Sequence, residues 1–286
     1  MKPAQRTIQS ILPQDQSTLE SALGLDSGTA RIEVQCLLQR VLNVERAYFF
    51  AHPERALSTA EETAYQALLQ RRLNGEPIAY ILGEREFFGL SLNVTPATLI
   101  PRPDTELLVE LALERISRPK GRVLDMGTGS GAIALAIAHQ RPGAEVWACD
   151  ASTAALAVAQ HNALRLGIAN VHFIESNWFS ALGEQRFDLI VSNPPYIETG
   201  DQHLSQGDVR FEPLTALASG ADGLDDIRRI VAQATAHLES QGWLLLEHGY
   251  NQATQVRELL QQSGFSSVFS ARDLSGIERC SGGCRS

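Results

Sequence analysis

From Gly121 onward, short apolar runs alternate with segments of helical spacing, and this alternation restricts the possible folds more than any other feature. The runs that predict strands are residues 122–126, 145–149, 171–174, 187–192, 243–247 and 265–271. The segments that predict helices around them are residues 104–116, 131–139, 153–166, 224–238 and 252–262. A helix between consecutive strands supplies the long crossover that parallel pairing requires. The pattern therefore predicts an α/β domain, a mostly parallel sheet with helices on both faces, whose ligands bind beyond the carboxyl ends of the strands.

The chain before this alternation has a different character. Residues 1–75 show no strand pattern; their apolar residues recur at helical spacing, and Ser58 precedes Glu61 at the spacing of a capping box. Two β-rich runs then flank Gly83, and a second turn is predicted at Gly89. The sequence therefore predicts a small helical domain over 1–75, a β-hairpin linker over 76–98 and the α/β domain over 99–286.

The first predicted strand ends in a glycine-rich turn, VLDMGTGSGAIALAIA. Gly127, Gly129 and Gly131 permit a tight turn and a close approach of a ligand to the backbone. Asp150 ends the next strand, where a carboxylate can accept hydrogen bonds from ribose hydroxyls. The glycine spacing also fits a dinucleotide fingerprint, so a nicotinamide enzyme is one alternative. Asp125 favours S-adenosylmethionine over a dinucleotide. A carboxylate attracts the cationic sulfonium and ammonium groups of S-adenosylmethionine, whereas it would repel the negative charge of a pyrophosphate.

The fourth predicted strand ends in a second unusual turn, FDLIVSNPPYIE. Pro194 fixes its own φ and holds Asn193 extended, and Pro195 acts on Pro194 in the same way, so the turn is stiff. The Asn193 side-chain oxygen and the Pro194 carbonyl can accept both hydrogens of a planar NH2 group, and Tyr196 offers a flat face. An amide nitrogen is a weak nucleophile because its lone pair is delocalised, so orientation matters more than a strong base. The turn predicts methyl transfer to an amide or an exocyclic amine.

Composition argues against several classes of protein. A formal charge of −9 over 286 residues, without a basic stripe, argues against a general duplex-DNA binder. No apolar run is long enough to span a membrane, and no apolar signal core is visible at the N-terminus. Four scattered cysteines without a CxxC pair fit a reducing cytoplasm, which is the predicted location. Cys280 and Cys284 lie in a polar, glycine-rich segment that is predicted to be a frayed end, and no metal site is predicted.

The motifs together resemble those of amino-group methyltransferases that use S-adenosylmethionine. The two short motifs are DMGTGSG at 125–131 and NPPY at 193–196. Four longer blocks narrow the resemblance: EPIAYILGEREFFGL (76–90), LIPRPDTELLVE (99–110), VRFEPLTALASGADGLD (209–225) and LLLEHGYNQ (244–252). These blocks resemble the HemK family, the protein-(glutamine-N5) methyltransferases of peptide chain release factors. The resemblance implies a Rossmann-like S-adenosylmethionine-dependent methyltransferase domain and extends over nearly the whole chain.

The resemblance also implies a substrate and a set of site residues. HemK proteins methylate the glutamine side-chain nitrogen in the Gly-Gly-Gln motif of class I release factors, so these factors are the implied partners. The implied residues that bind S-adenosylmethionine are Asp125, Gly127, Thr128, Gly129, Ser130, Gly131, Asp150, Trp178 and Asn193. The implied substrate-binding residues are Asn193, Pro194, Pro195 and Tyr196, of which Asn193, Pro194 and Tyr196 are the catalytic ones.

Several interpretations stay open at this point. Trp178 fits a core tryptophan as well as one that packs on adenine. Arg102 and Glu106 either shape the substrate entrance or cap and salt-bridge a helix, and residues 211–213 are expected near the same entrance. The neutral N-terminal domain either docks the release factor or stabilises the catalytic domain. An adenine-specific nucleic-acid methyltransferase is the alternative function, because the adenine amine has the same planar geometry, although the acidic charge counts against it.

Overall fold

The protein is described here by a computed structural model that covers residues 5–116, 118 and 120–286. Its chain forms two compact units. The first spans Met1–Gly83 together with Gly207–Phe211, and the second spans Glu84–Gln206 and Glu212–Ser286. Each unit has its own buried apolar core, as an independently packed domain requires.

The first unit is helical, as predicted. Its helices are α1 (Ile8–Leu23), α2 (Ser27–Leu42), α3 (Ala47–Ala51), α4 (Thr59–Leu73) and α5 (Ile78–Leu82). The predicted capping box is confirmed, since the Glu61 amide donates to the Ser58 hydroxyl and the Ser58 amide donates to the Glu61 carboxylate. Helix α2 ends at Asn43, which adopts a left-handed conformation with a φ of 52°. Among the described residues, no helix has the length and apolar character to cross a membrane.

A buried ion pair joins two helices of the first unit. Arg72, at the end of α4, donates through Nε to Glu33 on α2 at 2.7 Å, and both side chains are almost completely buried. A second nitrogen of Arg72 donates to Asp208 at 3.1 Å. Asp208 belongs to the segment Gly207–Phe211, which is part of the first unit.

The predicted hairpin begins later than expected. Residues 78–82, which the sequence predicted to be β-rich, form α5 instead. Pro77 stands immediately before this helix and Gly83 ends it with a φ of 78°, the usual punctuation of a short helix. The hairpin itself is present and consists of β1 (Glu84–Phe87) and β2 (Leu90–Asn93), with Gly89 in the turn as predicted.

The second unit is an α/β domain. Its helices are α6 (Glu106–Arg115), α7 (Ala132–Gln140), α8 (Thr153–Leu166), α9 (Asp225–His237) and α10 (Ala253–Gln262). Its large sheet contains β3 (Arg122–Met126), β4 (Glu145–Asp150), β5 (Val171–Glu175), β6 (Phe187–Ser192), β7 (Leu238–Glu247), β8 (Phe265–Arg272) and β9 (Glu278–Arg285). The strand order is β5-β4-β3-β6-β7-β9-β8; the first five strands are parallel, and β9 pairs antiparallel with both β7 and β8. One core contains α6 and α7, and the other contains α9 and α10. The predicted class, a mostly parallel sheet with helices on both faces, is confirmed.

The prediction of a frayed C-terminus was wrong. Residues 278–285 form β9, which lies between β7 and β8, and Cys280 and Cys284 are both buried. A Cβ on Gly282 would lie 2.7 Å from the Leu244 carbonyl oxygen, so this strand needs a small residue to approach β7. The glycines that suggested a loose end are therefore a packing requirement of a buried strand.

The strand order places the two unusual turns side by side. The chain passes from β3 outward to β4 and β5, and then returns to form β6 on the other side of β3. Met126 at the end of β3 pairs in register with Ser192 at the end of β6, and the Ser192 hydroxyl donates to the Met126 carbonyl at 2.7 Å. The crevice at this reversal is where open α/β sheets bind ligands. The glycine loop and the double-proline turn both begin there.

Candidate active site

The glycine loop after β3 adopts left-handed conformations that suit glycine. The φ angles of Gly127, Gly129 and Gly131 are 71°, 56° and 85°. A Cβ on Gly131 would lie 3.1 Å from the Ala159 Cβ, so this glycine lets α7 approach α8 closely. Around Gly129, by contrast, a Cβ would meet no atom within 4 Å. The loop therefore presents bare backbone to open space at the crevice.

Asp125 lies fully buried beneath this loop. Its Oδ2 accepts hydrogen bonds from the Thr128 hydroxyl at 2.7 Å and from the Ala134 amide at 3.1 Å. Burial raises the pKa of Asp125 to about 7, because a buried carboxylate is poorly solvated. Ser130 is also buried, and its carbonyl accepts from Asn162. These contacts brace the loop against the start of α7, and a contact of Asp125, Thr128 or Ser130 with the methyl donor stays a prediction.

Asp150 ends β4 on the other side of the loop. Its Oδ2 accepts from the Gly129 amide and its Oδ1 from the Ser152 amide, each at 2.9 Å. An ionised carboxylate can accept about four hydrogen bonds, so two further donors can be accommodated. Asp150 can therefore hold the glycine loop in place and still accept hydrogen bonds from a ribose.

Trp178 lies against the glycine loop. Two of its ring atoms would lie 3.6 and 3.8 Å from a Cβ on Gly127. Its φ of 55° is unusual for a bulky residue and costs energy, and its indole nitrogen donates to Asp226 at 3.2 Å. The half-buried ring forms a flat wall beside the bare backbone. A planar base, ribose hydroxyls and a close backbone approach all fit this arrangement, so the residues present suit S-adenosylmethionine.

The double-proline turn after β6 keeps its two predicted acceptors free. Asn193 Nδ2 donates to the Thr105 hydroxyl at 3.2 Å. Within residues 5–116, 118 and 120–286, no hydrogen bond uses Asn193 Oδ1 or the Pro194 carbonyl. The amides of Tyr196 and Ile197 both donate to the Leu217 carbonyl, which fixes the exit of the turn. A stiff turn with two uncommitted oxygens is therefore present, as the sequence predicted.

Tyr196 is tied down at both its side chain and its backbone. Its hydroxyl donates to Glu247 at 3.3 Å, and its carbonyl accepts from Gln252 at 3.0 Å. Burial raises the pKa of Tyr196, so the hydroxyl stays a donor at neutral pH. A Cβ on Gly223 would collide with the Tyr196 carbonyl, so the neighbouring loop needs glycine at this position. The ring beside the turn is thus held in one place.

Comparison with known proteins identifies the family. A family model described as the methyltransferase small domain matches residues 103–209, and one described as the PrmC N-terminal domain matches residues 16–83. A release factor glutamine methyltransferase of Pseudomonas aeruginosa is 52% identical over 254 residues, which is 89% of this chain and 92% of the relative. One of Bordetella pertussis is 52% identical over 268 residues, 93% of this chain and 99% of the relative. The chain belongs to the release factor glutamine methyltransferases.

A solved structure supports the fold of this methyltransferase. A methyltransferase from Pyrococcus furiosus is similar with a TM-score of 0.53 and 23% identity, and the match covers 76% of this chain and 96% of that one. Membership in the family confirms the resemblance to HemK proteins that the motifs indicated. The nicotinamide alternative for the glycine loop is therefore wrong.

The residues expected at the substrate entrance have structural contacts in this methyltransferase. Arg102 forms an ion pair with Glu212, which also accepts from the Ile100 amide at 2.9 Å. Glu106 accepts from the Phe88 amide of the hairpin at 3.1 Å. The salt-bridge interpretation of Arg102 is thus confirmed, and its role at the entrance stays a prediction. Within the expected segment 211–213, Phe211 belongs to the first unit.

Three residues that contact the site were missed. Thr105 bonds to Asn193, Glu247 bonds to Tyr196 and Asp226 bonds to Trp178. Each contact joins residues far apart in the chain, so a local sequence pattern cannot predict it. One signal was available, because Glu247 is a carboxylate at the end of the apolar strand WLLLE and a buried charge needs partners. Among the described residues, no group of three or more His, Cys, Asp and Glu side chains could hold a metal ion.

Proposed function

We propose that this methyltransferase transfers the methyl group of S-adenosylmethionine to the side-chain amide nitrogen of the glutamine in the Gly-Gly-Gln motif of class I peptide chain release factors. The observation that carries the proposal is the pair of free acceptors, Asn193 Oδ1 and the Pro194 carbonyl, beside the glycine loop. The register of Met126 with Ser192 makes the two loops neighbours. Two acceptors on a stiff turn can orient both hydrogens of one planar NH2 group.

The chemistry follows from orientation. S-adenosylmethionine supplies a methyl group on a positively charged sulfur, which a nitrogen lone pair can attack. Gly127–Gly131, Asp150 and Trp178 would hold the donor, and Tyr196 would pack against the glutamine side chain. With its hydrogens held by Asn193 and Pro194, the substrate nitrogen presents its lone pair to the methyl carbon. A nitrogen–carbon bond forms, the sulfur–carbon bond breaks with its electron pair going to sulfur, and the nitrogen loses one proton to water.

The test of this function is incubation with a purified release factor and isotopically labelled S-adenosylmethionine. Mass spectrometry should locate one added methyl group on the glutamine of Gly-Gly-Gln. DNA and RNA oligonucleotides in parallel reactions test the adenine-specific alternative. Asn193→Ala, which removes one acceptor, should lower turnover by roughly 10²- to 10³-fold while changing donor affinity much less. Methylation of an oligonucleotide but not of the release factor would overturn the proposal.

We also propose that the first unit docks the protein substrate. A three-residue target is flexible, and ordering it costs about 1–2 kcal/mol per residue in backbone entropy, so a tight complex needs contacts elsewhere. Residues 1–75 carry eight basic and eight acidic residues, whereas the remainder of the chain carries the whole net charge of −9. The first unit also exposes two large apolar side chains, Ile32 at 54% and Phe50 at 66%. A neutral surface with exposed apolar side chains suits contact with another protein.

A further inference from the structure

Glu247 is a buried carboxylate to which the reaction described above assigns no role. It ends β7 with 1% of its surface exposed. Its Oε1 accepts from the Tyr196 hydroxyl at 3.3 Å, and its Oε2 is buried with no close hydrogen bond in the described part of the chain. Burial raises its pKa to about 7, opposed by hydrogen bonding from Thr105 and Tyr196 and by the charge of Arg279. Burying a carboxylate is unfavourable unless neighbouring groups donate hydrogen bonds to it or carry a compensating charge.

Thr105 connects this carboxylate to the double-proline turn. Thr105 lies at the start of α6 with 4% of its surface exposed, and its hydroxyl accepts from Asn193 Nδ2 at 3.2 Å. A hydroxyl that accepts one hydrogen bond still has its own proton to donate. Glu247 is the buried acceptor beside it, and Thr105 lowers the pKa of Glu247 as a hydrogen-bond donor. Thr105 can therefore pass the order of donors on: Asn193 donates to Thr105, and Thr105 has a proton that it can donate to Glu247, whose Oε2 accepts no other hydrogen bond in the described part of the chain.

We propose that Thr105 and Glu247 are positioning residues that fix the direction of the Asn193 side-chain amide, so that Oδ1 faces the glutamine to be methylated. This inference rests on the proposed function. An asparagine amide has nearly the same shape after a rotation of 180°, so shape alone does not decide which end faces the substrate. The rotated amide would aim its NH2 group at the NH2 group of the glutamine, and two donors cannot bond to each other.

Glu247 excludes the rotated state through the Thr105 proton. If Asn193 rotated while Thr105 donated its proton to Glu247, the Asn193 oxygen would face the Thr105 oxygen. Two oxygens would then meet without a hydrogen between them, and Asn193 would lose its partner. The same carboxylate accepts from Tyr196, so Glu247 holds both ends of the four-residue turn. An apolar residue at position 247 would remove both restraints at once.

The experiment compares three threonine variants in the full-length enzyme. Thr105→Val keeps the shape of the side chain but removes the hydroxyl, and Thr105→Ser keeps the hydroxyl. Thr98→Val is the matched control, because Thr98 is a buried threonine at 1% exposure whose hydroxyl donates to the Thr95 carbonyl instead. For each variant, turnover on a release factor, affinity for S-adenosylmethionine by calorimetry and the melting temperature are measured.

We expect Thr105→Val to lower turnover by about 10- to 100-fold, the scale of a misplaced reacting group, with donor affinity within about twofold of wild type. Thr105→Ser should recover most of the turnover, and Thr98→Val should keep it. Wild-type turnover in Thr105→Val would overturn the inference, as would a loss that Thr105→Ser does not rescue. If Thr105→Val does not fold, Glu247→Met replaces it, since methionine has a similar length and lacks both carboxylate acceptors. Unchanged turnover in Glu247→Met also overturns the inference. If the wild-type enzyme leaves release factors unmethylated, the proposed function fails instead.

Discussion

At the scale of single residues, we propose that Asp150 combines two tasks in one carboxylate. It accepts from the amides of Gly129 and Ser152, and it is proposed to accept from the ribose of the donor. We expect Asp150→Ala to weaken S-adenosylmethionine binding by about 1.5–3 kcal/mol, roughly 10- to 150-fold, measured by calorimetry. Asp201→Ala is the control, because Asp201 also accepts from a backbone amide, that of His203, but is remote from the glycine loop in sequence. Equal donor affinity in wild type and a folded Asp150→Ala would place the ribose elsewhere.

A second prediction for a single residue concerns Glu247 and the dependence of the unfolding free energy on pH. Its pKa rises from 4.5 to about 7 in the folded protein, because burial disfavours the charged form. The folded state thus binds this proton more tightly than the unfolded state. The resulting stabilisation is complete below about pH 4.5 and is lost as the pH rises through about 7. Glu247→Gln does not titrate, so the unfolding free energy of wild type relative to this variant should fall by up to about 3 kcal/mol over that range.

Chemical denaturation of wild type and Glu247→Gln at a series of pH values measures this difference. Asp125, whose pKa is also raised to about 7, titrates in both proteins, so its contribution cancels. A difference in unfolding free energy that stays constant with pH would show that Glu247 does not titrate in this range.

At the scale of secondary-structure elements, the prediction concerns the packing of the buried strand β9. Gly282 lets β9 pack against β7, since a Cβ there would lie 2.5 Å from a Leu245 methyl and 2.7 Å from the Leu244 carbonyl oxygen. We expect Gly282→Ala to lower the unfolding free energy by about 1–3 kcal/mol through overpacking, measured by denaturant titration. At Gly200, where a Cβ would meet no atom within 4 Å, the same substitution should change stability by less than about 0.5 kcal/mol. Equal effects at the two glycines would argue against the buried strand.

At the scale of the whole molecule, the question is what the first unit contributes. If it docks the release factor, Phe50→Ser should raise KM for the whole factor several-fold and leave the kinetics on a short Gly-Gly-Gln peptide unchanged. Leu164→Ser is the control, because Leu164 is 83% exposed but belongs to the second unit. Steady-state kinetics on both substrates decide between the hypotheses. A similar loss on the peptide and on the whole factor would favour a purely stabilising role for the first unit.

The class of fold and the two loops at the crevice could be predicted from the residues alone, because their signals are local. Apolar runs mark strands, glycines mark the turn after β3, and the ring of Pro194 stiffens the turn after β6 whatever surrounds it. Local sequence patterns gave the wrong secondary structure for two segments, where neighbouring parts of the fold determine the conformation. Residues 78–82 became a helix between Pro77 and Gly83, and the polar residues 278–285 became a buried strand because β7 and β8 enclose them.

The partners of the site residues depended on the tertiary structure. Asn193 contacts Thr105 across 88 positions of the chain, Tyr196 contacts Glu247 across 51, and Trp178 contacts Asp226 across 48. No periodicity or motif links residues at such separations. Tyr196 and Glu247, for example, meet because β6 pairs with β7, an order that comes from the packing of the entire sheet. The residues that orient Asn193 and Tyr196 therefore became visible only when the strands were placed side by side.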